Sequence, residues 1–336
     1  MRWYALLLLA VAIATGCQFV AGLSDPLSEP DAAAPNGPDG AVADAGADVI
    51  DDRNAQPDAP RPVEQLVGGR LYLWDVVADD DAVYFSDTQV YRKSYDGGLQ
   101  PLATAVNANL ALDATHLYFN VGPELRRIPR GGGASELLDT APTDIQDIAI
   151  DRSTIFYNTG SPAHLYARAK AAGPRREIAA GFPDQISASD TFLIATGKLV
   201  ERDSGTFVDL PRSTDPASPF PIVGNFVAYR DRDLHVVRAD LTQLSSTLYA
   251  GGLQFPFQPR GGGSGSAGVA LDTVNAYVSV STQDSGAIWA LPNDGGVGSP
   301  IAATIDPRDI YVTSSRIVWI AAESGPNLYG IFQIRR

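Results

Sequence analysis

VVADDDAVYFS, residues 76–86, joins a hydrophobic strand, a polar turn and an aromatic-rich strand. The same order returns in LALDATHLYFN at 110–120 and in IAIDRSTIFYN at 148–158. Four weaker copies follow: ISASDTFLIAT (186–196), PIVGNFVAY (221–229), VALDTVNAYVS (269–279) and IYVTSSRIVWIA (310–321). Seven copies along one chain indicate a repeat architecture, in which each unit covers its faces with its neighbours.

The spacing of the copies indicates the size of the repeating unit. Alignment on the turn residue gives the column Asp79, Asp113, Asp151, Ser189, Gly224, Asp272 and Thr313, with spacings of 34, 38, 38, 35, 48 and 41 residues. This period, with Asp-Gly and Gly-Gly hairpin turns at 96–98 and 131–133, is typical of four-stranded propeller blades. The sequence predicts an all-β, seven-bladed β-propeller over 63–336. Six blades are the alternative, because repeats four and five are degenerate.

The two ends of the repeat region fit a closed ring. In the second repeat we expect strands at 108–113, 116–120, 124–129 and 135–139. The seventh repeat stops after LYGIFQIRR (328–336) and lacks a fourth strand. The segment VEQLV at 63–67 resembles the fourth strands of other repeats. We expect it to complete the seventh blade, because ring closure removes exposed sheet edges.

Composition limits the classes of protein to which the chain can belong. Its 336 residues are 45% hydrophobic, enough for a large core, and the repeats favour a single folded domain. The formal charge of −14 gives little attraction to nucleic acid, although acidity is also a common aid to solubility. The single cysteine, Cys17, permits no intramolecular disulfide. We expect a monomer without a nucleic-acid partner.

The first 17 residues, MRWYALLLLAVAIATGC, have the layout of a secretory signal. Arg2 gives a positive start, and the apolar run that follows is too short to span a membrane. The end of this segment, ATGC, resembles the lipobox of bacterial lipoproteins. The resemblance implies that Cys17 is lipidated and that Gln18 directs the protein to the outer membrane, facing the periplasm or the cell surface. The alternative is an ordinary signal peptide that leaves Cys17 free.

Residues 18–62 differ in kind from the rest of the chain. Seven prolines interrupt this stretch, and nine acids face two arginines. Low hydrophobicity, proline and like charge predict a disordered acidic linker, with an acidic partner-binding segment as the alternative. A flexible linker of this length would span roughly 35–40 Å.

The second strands of the clean repeats carry a recurrent aromatic core. VYFSD (83–87), LYFNV (117–121) and FYNTG (156–160) place aromatics before Ser, Asn or Thr. They resemble the strands of YWTD-type and NHL-like propellers. The resemblance implies a module that binds a protein, a peptide or a glycan.

The repeat alignment also predicts a ring of residues at one mouth of the central channel, because first strands line the channel of a propeller. Asp75, Asp147 and Asp309 could together hold a cation or a basic side chain. The alternative is that these side chains cap backbone amides between blades. The position four residues before each aligned turn residue holds Asp75, Asn109, Asp147, Gln185, Phe220, Gly268 and Asp309. Trp74 lies beside this ring, and a core position is favoured for its side chain.

Other candidates are weaker. The acidic run Asp79–Asp81 aligns with ordinary turns, so calcium binding is not expected there. His116, His164 and His235 belong to different repeats, and no metal site is predicted from them. Phe255 and Phe257 in the loop LQFPFQP (253–259) are either a sticky contact or packing.

Enzyme signatures are missing from the sequence. It contains no GxSxG, HExxH or GxxxxGK[ST] motif, and no cofactor or catalytic residue is predicted. The sequence therefore favours a lipid-anchored binding or scaffolding module of the cell envelope. The alternative is an envelope lyase or hydrolase whose site is the channel mouth.

Overall fold

A computed structural model describes residues 62–182, 185–211, 220–231, 233, 235–248, 268–281, 286–323 and 328–336. The chain divides into two compact units, Met1–Ala55 and Gln56–Arg336, and all described residues belong to the second. Predictions about the signal segment, Cys17 and the linker therefore fall almost wholly outside the described residues, as does the loop at 253–259.

The described residues form 28 strands in seven separate sheets. The first strand, β1, covers Glu64–Arg70. Blade 1 contains β2 (Asp75–Ala78), β3 (Ala82–Ser86), β4 (Val90–Ser94) and β5 (Leu99–Ala103). Blade 2 contains β6 (Leu110–Leu112), β7 (His116–Val121), β8 (Glu124–Pro129) and β9 (Glu136–Thr140). Blade 3 contains β10 (Ile145–Ile150), β11 (Thr154–Thr159), β12 (His164–Ala169) and β13 (Arg176–Ala180).

The later blades repeat this order with more variable strand lengths. Blade 4 contains β14 (Ile186–Ala188), β15 (Leu193–Ala195), β16 (Lys198–Val200) and β17 (Phe207–Asp209). Blade 5 contains β18 (Ile222–Val223), β19 (Phe226–Arg230), β20 (Val236–Asp240) and β21 (Ser245–Leu248). Blade 6 contains β22 (Val269–Leu271), β23 (Asn275–Ser281), β24 (Gly286–Pro292) and β25 (Ser299–Thr304). Blade 7 contains β26 (Ile310–Val312), β27 (Arg316–Ala322) and β28 (Tyr329–Arg335), with β1 as its fourth strand.

Each sheet has four antiparallel strands, and in blades 1 to 6 they follow chain order. The seven-bladed propeller is thus confirmed, and the six-bladed alternative is wrong. The degenerate fourth and fifth repeats still form complete blades, although the strands of blade 4 are only three residues long.

The core lies between the blades. Seven clusters of buried side chains each join two neighbouring blades, including the pair formed by the last and the first. Tyr84 of β3 and Phe119 of β7 share one such cluster and are almost fully buried. Burying a large apolar side chain stabilises a fold by roughly 1.5–3 kcal/mol. The recurrent aromatics of the second strands therefore hold one blade to the next.

Strand β1 closes the ring by pairing with β28. Glu64 lies opposite Gln333 and Arg70 lies opposite Tyr329, and the Gln333 side chain donates to Glu64 at 2.8 Å. The prediction that 63–67 completes blade 7 is confirmed. The strand continues to Arg70, beyond the segment identified by resemblance.

The ring has two faces that the first strands connect. The face where the first strands begin, at Asp75 and its counterparts, is called the mouth face. The turn face is the opposite one, where Asp79 and its counterparts join first to second strands. The end of β28 lies on the turn face, because Arg336, the next residue, reaches Asp272 in the turn of blade 6. Glu64 pairs with Gln333 near that end, so β1 begins on the turn face.

The aligned turn residues share one structural role. Asp113 Oδ1 accepts the backbone N–H groups of Thr115 and His116 at 2.8 and 2.9 Å. Such side-chain bonds replace the backbone partners that a tight turn leaves unpaired. Gly224 has no side chain to do this and instead adopts a φ of 59°. The same side-chain bonding occurs at Asp79, Asp151, Asp272, Ser189 and Thr313.

Blade 2 shows where the strand prediction was inexact. Its second to fourth strands agree within one residue, but the first is β6, Leu110–Leu112, instead of 108–113. The Asn109 N–H donates to the Asn120 side chain at 2.7 Å instead of entering a strand ladder. At the other end, the Asp113 N–H already closes the turn by donating to the His116 carbonyl.

Candidate functional site

The seven first strands surround a central cavity of about 450 Å³. Five members of the predicted ring line it, namely Asp75, Asp147, Gln185, Phe220 and Asp309. Asn109 and Gly268 are not among the lining residues. The structure therefore brings the three predicted acids together at one mouth. Whether these residues bind a ligand stays a prediction.

Asp75 and Asp147 each connect two blades. One Asp75 oxygen accepts the N–H of Val76, and the other accepts the N–H of Leu110 in blade 2, both at 2.7 Å. Asp147 repeats this arrangement with Ile148 and with Ile186 of blade 4, both at 2.8 Å. The capping role offered as the structural alternative is therefore present at both positions. It leaves each carboxylate in the channel wall.

Burial makes the charged forms of these acids costly. Removal from bulk water raises the pKa of Asp147 to about 7, even though two backbone N–H groups favour its anion. The pKa of Asp75 is raised well above its usual range, first by burial and then by the negative charge of Asp309. At neutral pH the carboxyl of Asp147 is therefore only partly ionised.

Tyr311 is a channel residue that the sequence reasoning missed. It lines the cavity one layer below the acids, and burial together with the charges of Asp75, Asp147 and Asp309 raises its pKa. The repeat alignment contained the signal, because the other blades have small or aliphatic residues at this position. These are Val77, Ala111, Ala149, Ser187, Ile222 and Ala270.

The side chain of Trp74 lies on the mouth face and not in the core. It is 39% exposed and stacks on Tyr72, with 6.3 Å between ring centroids and an interplanar angle of 14°. Its indole N–H donates to Asn109 Oδ1 at 3.2 Å. The expectation of a core position is wrong, because Trp74 precedes β2 in the connection from β1 and is not itself in a strand.

Two further exposed apolar side chains lie in connections on the same face. Leu71 and Val106 are 73% and 61% exposed, in the two connections that flank blade 1 on the mouth face. We call Leu71, Tyr72, Trp74 and Val106 the aromatic rim. Exposed apolar groups clustered beside a cavity are typical of an interaction surface.

The arginines near the mouth already have acidic partners. Arg70 pairs with Asp87 at 3.0 Å, and Arg308 pairs with Asp306 at 2.9 Å. By contrast, Asp75 and Asp147 form no ion pair with any residue in the described ranges.

The other candidates have structural explanations. Asp79 forms an ion pair with Arg130, and Asp80 accepts from Ser314 and Ser315, so these acids are engaged in contacts between blades. The three histidines lie in blades 2, 3 and 5.

Asp231, Asp233 and His235 form a group that sequence reasoning missed, with potential ligand atoms within 4.8 Å of one another. Its signal is the alternate spacing of the three residues. The group sits in a turn, since Asp231 Oδ1 accepts the N–H groups of Asp233 and His235, both at 2.9 Å.

Comparison with known proteins supports the fold. No family of known proteins matches the sequence, and a search of curated proteins finds no match. Solved structures do match. The WD40 β-propeller domain of Doa1 is 13% identical with a TM-score of 0.56, over 80% of this chain and 96% of that one. U3-55K is 11% identical with a TM-score of 0.60, over 83% of this chain and 100% of that one.

A bacterial structure is also similar. The extracellular domain of the putative one-component system BT4673 from B. thetaiotaomicron is 10% identical with a TM-score of 0.55. The match covers 82% of this chain and 40% of that one. At these identities the comparisons establish a β-propeller and nothing narrower. The described residues contain no helix that is long and apolar enough to cross a membrane.

Proposed function

We propose that this protein is a lipid-anchored binding module of the bacterial cell envelope that holds a protein or peptide partner at the mouth face. The observation that carries the proposal is the aromatic rim beside the central cavity. Tyr and Trp are enriched at protein interfaces, where their burial contributes much of the binding energy. Tyr72 and Trp74 are exposed and stacked on each other, so little order remains to be imposed on them when a partner binds.

The similar structures agree with a binding role. One is the WD40 β-propeller domain of Doa1, another is described as the WD40 repeats of RRP9, and a third comes from a mitotic checkpoint complex. The match to an extracellular domain supports a location outside the cytoplasm. YWTD-like or NHL-like kinship and outer-membrane placement rest on the sequence resemblances alone.

The path of the chain suits an anchored receptor. The residues before Glu64 join the ring on the turn face, opposite the rim. Several acyl chains give a stable anchor, since each buried CH2 contributes roughly 0.8 kcal/mol.

The enzyme alternative has less support. A lyase or hydrolase at the mouth would use Asp75 or Asp147 as its acid or base. Each of these carboxyls already accepts two backbone N–H groups that fix the blades. Both oxygens of each carboxyl are therefore already engaged in contacts within the ring.

Site-specific crosslinking in cells tests the proposal. A photoreactive residue at Val106, in the rim of the full chain, should form a discrete adduct with a partner in the membrane fraction. The same residue at Val297 is the matched control, because Val297 is also an exposed valine but lies in the β24–β25 turn on the opposite face. Equal adducts from both positions, or none from Val106, would refute binding at the mouth face.

The anchor is tested separately with Cys17→Ala. This variant should leave the membrane fraction while the ring stays folded. If the variant sediments with membranes as the wild type does, lipidation at Cys17 is wrong.

A further inference from the structure

We propose that β17, the outer strand of blade 4, binds an extended peptide strand in which a basic residue is followed two positions later by an aromatic or large aliphatic residue. The added strand would pair with the backbone of β17 and extend its sheet, which is an established mode of peptide recognition. This edge belongs to blade 4, whereas the aromatic rim flanks blade 1. The inference therefore goes beyond the proposed function and does not depend on it.

The first argument is that β17 lacks the features that protect the other outer strands. Proteins discourage pairing at a sheet edge with bulges, proline or charge. The pairing of β1, β5, β9, β13 and β25 contains a register shift, and β5 and β25 also contain Pro101 and Pro300. The pairing of β17 and of β21 is regular. Strand β21 is polar at Ser245–Thr247, whereas Phe207 and Val208 of β17 are both 51% exposed.

The second argument is the direction of the β17 backbone. The Leu210 N–H donates to the Gly197 carbonyl at 3.1 Å, so Leu210 faces β16. Because successive residues of a strand point their backbone groups to alternate sides, Val208 also faces β16, and Phe207 and Asp209 face outward. The N–H and C=O groups of Phe207 and Asp209 have no hydrogen-bond partner in the part of the chain that the structure describes. A partner strand that exchanges two bonds with each residue would satisfy all four groups.

The third argument is the chemistry of the side chains on this edge. Phe207 packs edge-on against Phe182, with 5.4 Å between ring centroids, and half of its surface stays exposed. The side chain of Asp209 is 76% exposed, and one of its oxygens contacts Lys198. Its other oxygen, Oδ2, has no partner within the described ranges. Phe207 and Asp209 lie on the same face of β17, since they are two residues apart.

These two side chains determine the order of residues in the partner. We expect antiparallel pairing, because every strand pair of the ring is antiparallel and this pairing is slightly the more stable. In an antiparallel strand, the residue opposite Asp209 comes two positions before the residue opposite Phe207. A basic residue at the first position and an aromatic or large aliphatic one at the second would form favourable cross-strand pairs.

A second copy of this chain fits the edge less well. In antiparallel self-pairing centred on Val208, Phe207 would lie opposite Asp209 of the second copy, which sets an apolar ring against an acid. The formal charge of −14 also opposes association of two copies and attracts a basic partner. Charge complementarity therefore favours a basic strand.

Peptides with one methylated amide test the pairing. The probe is an acetylated and amidated heptapeptide, Gly-Ser-Lys-Val-Phe-Ser-Gly, titrated into the full-length protein in detergent and followed by NMR. Its Lys and Phe amides would face β17, and its Val amide would face away. N-methylation of the peptide Phe should weaken binding about tenfold, and N-methylation of the peptide Val less than about threefold. Equal affinity of the two methylated peptides, or no binding of the unmodified one, would overturn the inference.

The order of the partner residues has its own control. The peptide Gly-Ser-Phe-Val-Lys-Ser-Gly has the same composition and charge, but it places the base opposite Phe207. It should bind about threefold more weakly, because both cross-strand pairs are lost. Equal binding of the two peptides would show that the predicted order is wrong.

Amide signals of β17 give a direct readout of the contact. The N–H groups of Phe207 and Asp209 should exchange with solvent more slowly when the probe is bound, because they become hydrogen-bonded. The Val208 N–H already faces β16 and should change less. Slower exchange at Val208 alone, or at none of the three, would contradict the pairing.

Variants of Asp209 separate backbone pairing from charge. Asp209→Pro removes one outward N–H and should abolish peptide binding, and β5 and β25 show that outer strands of this ring accept proline. Asp209→Ala keeps the N–H and should weaken binding only about two- to fivefold. The midpoint of urea unfolding reports whether each variant is folded. Equal binding by the two folded variants would mean that side chains alone make the contact.

A second copy as occupant gives a different result. Sedimentation that shows a dimer of the full chain, lost in Asp209→Pro and kept in Asp209→Ala, would overturn the choice of a basic partner. None of these outcomes bears on the mouth face, because the crosslink at Val106 reports on that surface separately.

Discussion

Asp147 shows how one residue can serve both the ring and its channel. Its two oxygens accept N–H groups from blades 3 and 4, which fixes the angle between them. The same contacts keep the carboxyl in the channel wall, where burial penalises its charge. A group that stabilises the ring is thus also sensitive to pH.

The stability of the ring should fall as pH rises from about 4 to 7. The pKa of Asp147 is about 7 in the folded protein, against roughly 3.9 for an unfolded chain. The folded state therefore holds this proton more tightly, and its stabilising contribution is lost as pH rises through 7. We expect a loss on the order of 1–3 kcal/mol, and Asp75 should act in the same direction. Urea unfolding at pH 5 and pH 8 measures the difference.

Asp147→Asn provides the control, because an amide resembles the protonated acid and does not titrate. This variant should show a smaller fall between the two pH values than the wild type. An Asn at the exposed Asp96, in the β4–β5 turn, should leave the fall unchanged. A wild type whose stability is constant over this range would contradict the argument.

At the scale of elements, the aligned turn acids also join blades on the turn face. A basic residue just after the third strand of one blade reaches the turn acid of the preceding blade. Lys170 Nζ lies 2.8 Å from Asp113, and hydrogen bonds from Lys170 and from backbone groups lower the pKa of Asp113 in spite of its burial. The same contact recurs as Arg130–Asp79, Arg202–Asp151 and Arg336–Asp272.

Removal of one such base should destabilise the ring. Arg202 Nη1 lies 2.6 Å from Asp151, whose side chain is only 3% exposed. Arg202→Met would leave that charge buried without its ion-pair partner, which costs roughly 3–5 kcal/mol for a fully buried pair and somewhat less for the partly exposed arginine here. The loss should appear as a lower midpoint of urea unfolding.

The exposed Arg152, in the turn between β10 and β11, is the matched control for this prediction. Its replacement by Met removes the same charge from the same face and should change stability by less than about 0.5 kcal/mol. Similar losses in both variants would mean that net charge, and not the contact with Asp151, is responsible.

At the scale of the whole molecule, closure of the ring depends on a strand from the opposite end of the chain. A chain that begins at residue 62 keeps β1 and should unfold in one cooperative transition. A chain that begins at residue 71 lacks β1 and exposes the edge of β28, so it should melt at lower temperature and aggregate. Calorimetry and light scattering compare the two, and equal melting temperatures would show that β1 is dispensable.

Much of this architecture was predictable because repetition averages out local ambiguity. The turn column and the aromatic second strands gave the blade count, and the missing last strand gave the closure. The predicted acids Asp75, Asp147 and Asp309 do meet at the cavity. Tyr311 could have been found, because it departs from the small or aliphatic residues at the same position of the other blades. Trp74 was harder, because its exposure depends on the connection in which it lies, and a repeat pattern does not contain that information.

The way in which β1 enters the ring also determines how the protein would carry a mechanical load. Strand β1 starts on the turn face and ends on the mouth face, paired along its length with β28. Tension between a tether at residue 62 and a partner at the mouth would act along the axis of β1. Its hydrogen bonds, which lie across that axis, would then be sheared together instead of being opened one at a time. The strand that closes the ring would thus be loaded in its most resistant direction.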